Sequence, residues 1–130
     1  MLRNIPNRVD QAGLKKLLDE TSFGLYDFMY LRIDFANNCN VGYAFINFVD
    51  PMSIVPFAKA RAGQKWNLFQ SDKVAEISYA SKSYGCCCRA TITDHLPAIQ
   101  GRDCLIQKFR NSSVMLERPA FRPKVSLARL

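Results

Sequence analysis

The sequence predicts an α+β fold of the split βαβ type: a four-stranded antiparallel sheet with two helices on one face and an extra C-terminal helix. Three observations predict it. Residues Asn40-Val41-Gly42-Tyr43-Ala44-Phe45-Ile46-Asn47-Phe48 alternate as a strand, with Val41, Tyr43, Phe45 and Asn47 on one face and Gly42, Ala44, Ile46 and Phe48 on the other. After Asp10, Leu14, Leu17 and Leu18 recur at the three- and four-residue spacing of a buried helix face. Tyr26 to Phe35 and Val74 to Ala80 alternate as two further strands, one before the organising strand and one after a second helical stretch. A chain of 130 residues with 48% hydrophobic residues suits one domain with a proper core.

Each element has a local cause. The chain opens on Met1-Leu2-Arg3-Asn4-Ile5, an apolar stretch ended by Pro6-Asn7, which is read as the first strand. Asp10 is a cap residue for a helix running to about Glu20, and Thr21 to Gly24 breaks it. Ala36 to Asn40 is a polar turn. Asp50-Pro51 ends the organising strand, and Ser53 is expected to cap a second helix. That start puts Pro56 in the first turn, where its missing N–H does no harm. Ile54, Phe57, Ala58 and Arg61 follow at helical spacing, and Gly63 stops the run. Within Gly101 to Arg110, Leu105, Ile106 and Phe109 form one short amphipathic helix. Glu117 to Lys124 carries two prolines and is expected to be irregular.

The formal net charge of +7 is unevenly placed. Residues 1–81 carry nine basic and eight acidic side chains, whereas residues 82–130 carry nine and three. The positive charge therefore belongs to the C-terminal part, where it either contacts phosphates or serves only to solubilise. The first residues lack the apolar core of a signal peptide, and no apolar run approaches a membrane span. Five cysteines, an odd number without a secretory signal, argue for reduced thiols and a nuclear or cytoplasmic setting. Cys86-Cys87-Cys88 is not a metal spacing, and His95 is the single histidine, so no metal, cofactor or Cys–His dyad is expected. A phosphate-cradling loop after the first strand would need glycines that Asn4-Ile5-Pro6-Asn7-Arg8 lacks, which argues against a small hydrolase on this fold.

The organising strand resembles the long signature strand of the RNA-recognition motif, K/R-G-F/Y-G/A-F-V-x-F/Y. Gly42, Tyr43, Ala44, Phe45 and Phe48 match outright, Ile46 stands in for valine, and Val41 departs from the basic first residue. Taken alone, such a strand reads equally well as buried and aromatic-rich. The order of elements turns the reading towards RNA, because both helices cover one sheet face and leave Tyr43 and Phe45 on the other. Unpaired bases stack on such rings. Leu2-Arg3-Asn4-Ile5 similarly resembles the last four places of the shorter signature strand, with Met1 at its stacking position. Its first place is missing, which suggests a fragment or a truncated gene model.

A closer resemblance runs through Arg3 to Arg8, Tyr26 to Phe35, Asn38 to Phe48, Lys65-Trp66, Ser78 to Ala80 and Lys108 to Ser113. These stretches are similar to the C-terminal RNA-recognition motif of the Mei-two-like proteins, meiosis regulators of fission yeast with relatives across fungi and plants. The resemblance implies a non-enzymatic RNA-binding protein acting in meiotic or developmental control. It also makes Met1 and Val41 ordinary at their positions; Met is soft enough to lie against a base. It implies an extra helix after the sheet, across or beside the RNA face.

The resulting expectations are specific. Tyr43 and Phe45 present solvent-facing rings, with Met1 as the third stacking position. Asn47 lies on the same face, Asn4 sits near the strand end, and Arg3 and Arg32 are phosphate or base-edge donors. Lys108 and Arg110, with Arg118, Arg122 and Lys124 beyond, supply backbone contacts. Trp66 is read as a core or loop anchor rather than a base platform, and Lys65 as a surface charge. Residues 1–81 form the motif, residues 82–98 an irregular insertion with no family likeness, and residues 99–130 the C-terminal helix and basic tail. The insertion is read as translated intron sequence rather than a lineage-specific loop. The expected partner is single-stranded RNA, with regulatory proteins as further candidates, and the chain is expected to be a monomer off the membrane. The rival reading is a protein-interaction module of the same fold that grips a peptide on its helical side.

Overall fold

Asp10 ends the loop after the first strand by capping a helix. Its carboxylate accepts from Gly13 N at 2.7 Å, satisfying a donor that the first turn would otherwise leave unpaired. The computed structural model describes residues 1–78, 105–106, 109–110 and 112–125. Its elements in chain order are β1 (Leu2–Arg3), α1 (Gln11–Ser22), β2 (Tyr26–Asp34), β3 (Cys39–Phe48), α2 (Ile54–Arg61), β4 (Glu76–Ile77) and β5 (Lys124–Val125). Short 3-10 turns cover Pro51–Ser53, Ser113–Leu116 and Pro119–Phe121.

The strands form one antiparallel sheet in the order β4-β1-β3-β2-β5. The first four strands and two helices are the split βαβ arrangement. The fifth strand is additional, so the expected four-stranded sheet is in fact five-stranded. Two local details also differ. Helix α1 continues to Ser22, two residues past Glu20. The second helix is entered through a 3-10 turn capped by Asp50, whose carboxylate accepts from Met52 N at 2.9 Å; Ser53 makes no cap hydrogen bond. Beyond Ser78, the remainder of the expected last strand lies outside the described residues.

Two apolar clusters flank the sheet. On the helical side, Leu2, Leu14, Leu18, Met29, Leu31 and Ala44 pack with Phe57 and Trp66. Trp66 is thus a core residue, as its sequence context suggested. The other face is covered as well: Phe28, Tyr30 and Phe45 pack with Leu105 and Phe109. Double coverage explains why every residue from Tyr26 to Leu31 is buried. A register irregularity between Tyr26 and Phe28 lets Tyr26 join the helical-side cluster while Phe28 joins the opposite one.

Two buried amides hold the connections. Asn40 donates through Nδ2 to the carbonyls of Pro6 (2.7 Å) and Val9 (2.8 Å), and its Oδ1 accepts from Gly42 N at 2.8 Å. It therefore clamps the β1–α1 loop to the start of β3. Gln11 donates through Nε2 to the carbonyls of Ala120 and Arg122, both at 2.8 Å, and accepts through Oε1 from Leu31 N at 3.2 Å. With Phe121 against the helical-side core and β5 paired to β2, the C-terminal segment wraps the β2 edge and touches both sheet faces. The stretch from Glu117 to Lys124, expected to be irregular, is so apart from the Pro119–Phe121 turn and its last residue, Lys124, which enters β5. Its two prolines end or begin turns, while Gln11 and β2 supply partners from far away in sequence. Residues 82–98, including Cys86, Cys87, Cys88 and His95, lie outside the described residues.

Candidate nucleic-acid interface

Strand alternation brings one row of side chains to the face opposite the helices. Arg3 pairs across the sheet with Tyr43, and Tyr30 pairs with Phe45. Arg32 donates from Nη1 to Tyr43 Oη at 3.0 Å, with its guanidinium carbon 6.0 Å from the centre of the Tyr43 ring. Tyr43 stands edge-on to Phe45, with centroids 5.8 Å apart and planes at 88°. Arg3 and Arg32 are exposed and Tyr43 is half-buried, so a ring bonded to Arg32 sits on the strand between two that each carry an accessible arginine. Met1 is half-buried and packs against the same cluster as Tyr43.

Phe45 corrects the expectation that both signature rings face solvent. It is only 6% exposed, because Phe109 lies 5.9 Å away, centroid to centroid, at 56°. Phe109 also stacks on Phe28 at 6.0 Å and tilts against Tyr30 at 4.6 Å. Leu105, Ile106, Phe109 and Arg110 are helical, and the rest of the expected amphipathic helix lies outside the described residues. Leu105 and Phe109 cover the face that the first four strands leave open, and burial pushes the Tyr30 hydroxyl pKa upward. The alternation of the strand was legible, but what covers Phe45 lies more than sixty positions away. Phe28 and Tyr30 belong to this aromatic layer too, and their shared parity in Tyr26 to Asp34 was the signal available for them.

The other expected residues divide. Asn4 adopts φ +60° and donates from Nδ2 to the carbonyl of Val74 at 2.8 Å, which ties the end of β1 to the segment before β4. Asn47 donates to Asp27 Oδ1 at 2.8 Å. Both amides therefore already hold a partner within the fold. Arg110 is exposed, on the helical residues that carry Phe109. Lys108 lies outside the described residues. Of the tail cations, Arg122 donates to the Glu117 carbonyl and Lys124 to the Pro119 carbonyl, each at 2.7 Å, and Arg118 is exposed.

Next to the row opens a cleft of about 400 Å³ between the Arg32–Phe35 end of β2, Val41 and the turn at Ser112–Val114. Among the described residues, no group of His, Cys, Asp and Glu is placed to hold a metal, and no helix is long and apolar enough to cross a membrane.

Comparisons with known proteins agree with this architecture. The profile of the family described as RNA recognition motif 2 matches residues 1–88. "Meiosis protein mei2" of Schizosaccharomyces pombe (strain 972 / ATCC 24843) is 53% identical over 125 residues, covering 96% of this chain and 14% of that protein. "Protein MEI2-like 1" of Arabidopsis thaliana is 46% identical over 123 residues, covering 95% of this chain and 12% of that protein. "Protein MEI2-like 3" of Oryza sativa subsp. japonica is likewise 46% identical over 123 residues, with 95% and 11% covered. The chain thus spans only 11–14% of the length of these relatives.

Proposed function

We propose that this chain, which belongs to the RNA recognition motif 2 family and is of the Mei-two type, binds single-stranded RNA as part of a regulator of meiosis or development. The observation that carries the reading is the Arg3–Tyr43–Arg32 row. A half-buried ring offers stacking area at low entropic cost, and an exposed arginine on each adjacent strand serves to neutralise phosphates or read base edges. Tyr43 and Met1 provide the base platform, and Phe45 acts beneath Tyr43 as its support rather than as a second platform. Arg110 extends the cationic surface on the helical residues that cover Phe45. No catalytic step is assigned to any of these groups.

Fluorescence polarisation against a pool of short single-stranded RNAs tests the reading, with salt as the second variable. Binding should weaken steeply with salt, since each neutralised phosphate releases counterions. Arg3→Ala and Arg32→Ala should each lower the slope by about one. Absence of binding at low salt, or a flat salt response, would refute it. Phe23 (77% exposed) and Met52 (72% exposed), close to Leu25 and Val49 just past the adjoining ends of β2 and β3, favour the rival reading. That reading is a peptide-binding module, and a flat salt response would point to it.

A further inference from the structure

We infer that the cleft between β2, β3 and the Ser112–Val114 turn is a pocket for one unstacked nucleobase of the bound RNA, selective for guanine. The inference rests on the RNA-binding reading above and adds to it a site that the Tyr43 row does not contain. Volume is the first argument. At about 400 Å³ the cleft falls within the range of roughly 300–1,000 Å³ typical of small-ligand sites.

Its lining is the second argument. Tyr30, Phe45 and Phe109, all largely buried, close its floor, Val41 forms one apolar wall, and Arg32 and Asp34 bring opposite charges to it. An apolar floor with a few converging polar groups is the chemistry that holds a splayed-out base. Arg32 belongs to both the cleft and the row, since it lines the one and donates to Tyr43 in the other. A strand of RNA stacked on Tyr43 can therefore place a neighbouring base in the cleft without leaving the protein.

Selectivity follows from Asp34. One carboxylate oxygen accepts from Ala36 N at 3.0 Å and the other from Asn37 Nδ2 at 2.7 Å. These bonds fix the carboxylate and leave each oxygen further acceptor capacity, with no donor. Two fixed acceptors side by side match the paired N1–H and N2–H donors of guanine. Adenine offers no such pair, and a hypoxanthine base keeps only one of the two donors.

The cleft depends on the C-terminal wrap for one of its walls. It therefore exists only where residues 112–114 are seated, which is why the β1–β4 sheet pattern alone does not reveal it.

The test compares heptanucleotide RNAs that are all adenine, or carry a single central guanine or hypoxanthine. The wild-type chain should prefer the guanine RNA over the adenine RNA by about ten-fold, the scale of one good bidentate contact, with hypoxanthine between them. Asp34→Asn should reduce that preference. Ser113→Trp and Val41→Trp plug the cleft from opposite walls at exposed positions, so the fold is preserved. Both should remove the guanine preference while leaving binding of the adenine RNA intact. Equal affinity of the wild-type chain for all three RNAs, or a preference that survives both plugs, would overturn the pocket while leaving the RNA-binding reading in place. Failure to bind any of the three, or the pool, would instead overturn the reading on which the pocket rests.

Discussion

The ring of Phe109 lies 4.6 Å from that of Tyr30, centroid to centroid, with the planes tilted by 60°. A side chain beyond the matched family profile thus closes the aromatic layer of a sheet whose first four strands lie within residues 2–77. Rings at this spacing attract beyond their burial, and the pair anchors the C-terminal wrap to the sheet.

Phe109→Ala is expected to destabilise the domain by about 3–5 kcal/mol, the range for removing a buried phenylalanine. Phe45→Ala should cost a similar amount, since Phe45 is buried in the same cluster. Urea unfolding of both variants checks this. A loss below about 1 kcal/mol for either would show that the helical cover does not form in solution.

Tyr43→Ala should behave differently from Phe45→Ala. Its ring is half-buried, so RNA affinity should fall by roughly 1–3 kcal/mol while the unfolding midpoint moves little. Tyr43→Phe keeps the ring and loses only the hydroxyl that accepts from Arg32, and should retain most of the affinity. Polarisation titrations beside thermal melts separate the two effects. Parallel losses of binding and stability in Tyr43→Ala would make it a core residue.

Gln11→Leu tests the wrap. The substitution leaves the carbonyls of Ala120 and Arg122 and the Leu31 N–H without their partner. Each buried group left unpaired costs on the order of 1–3 kcal/mol, less whatever water recovers. Hydrogen exchange should accelerate at Leu31 and in the β5 segment, while α1 away from the site stays protected. Unchanged exchange at Leu31 would show that the tail is held by Phe121 and β5 alone.

Stability should decline in alkali through Tyr26. Burial and the hydrogen bond to Asp19 at 2.6 Å raise its pKa well above the ordinary value of 10. The unfolded chain then ionises first, so the contribution is whole below about pH 10 and is lost progressively as pH rises above it. Tyr26→Phe removes the ionisable group and should flatten that alkaline limb, read as unfolding midpoint against pH. An unaltered limb would assign it elsewhere, with Tyr30 the next candidate because burial raises its pKa too.

How much was legible depended on the range of the signal. The cap at Asp10, the leucines of α1, the polar turn before β3 and the stop at Gly63 are local, and each appears within two residues of where the sequence places it. Ser53 failed as a cap because Asp50, three residues earlier, already closes a 3-10 turn. Asn4 and Asn47 look free in the sequence, but Val74 and Asp27 hold them.

The sequence by itself determined which residues of β3 share a face. An unbroken stretch of strand has a period of two, so Tyr43 and Phe45 had to lie opposite Ala44 and Ile46, whereas in β2 the irregularity between Tyr26 and Phe28 breaks that period. The tertiary structure alone decided what each face meets. An apolar ring is driven out of water by any apolar surface, and the hydrophobic effect carries no direction that names the partner. Only the chain's return past β2, held by Gln11 and β5, puts Phe109 over Phe45 and opens the cleft at Asp34.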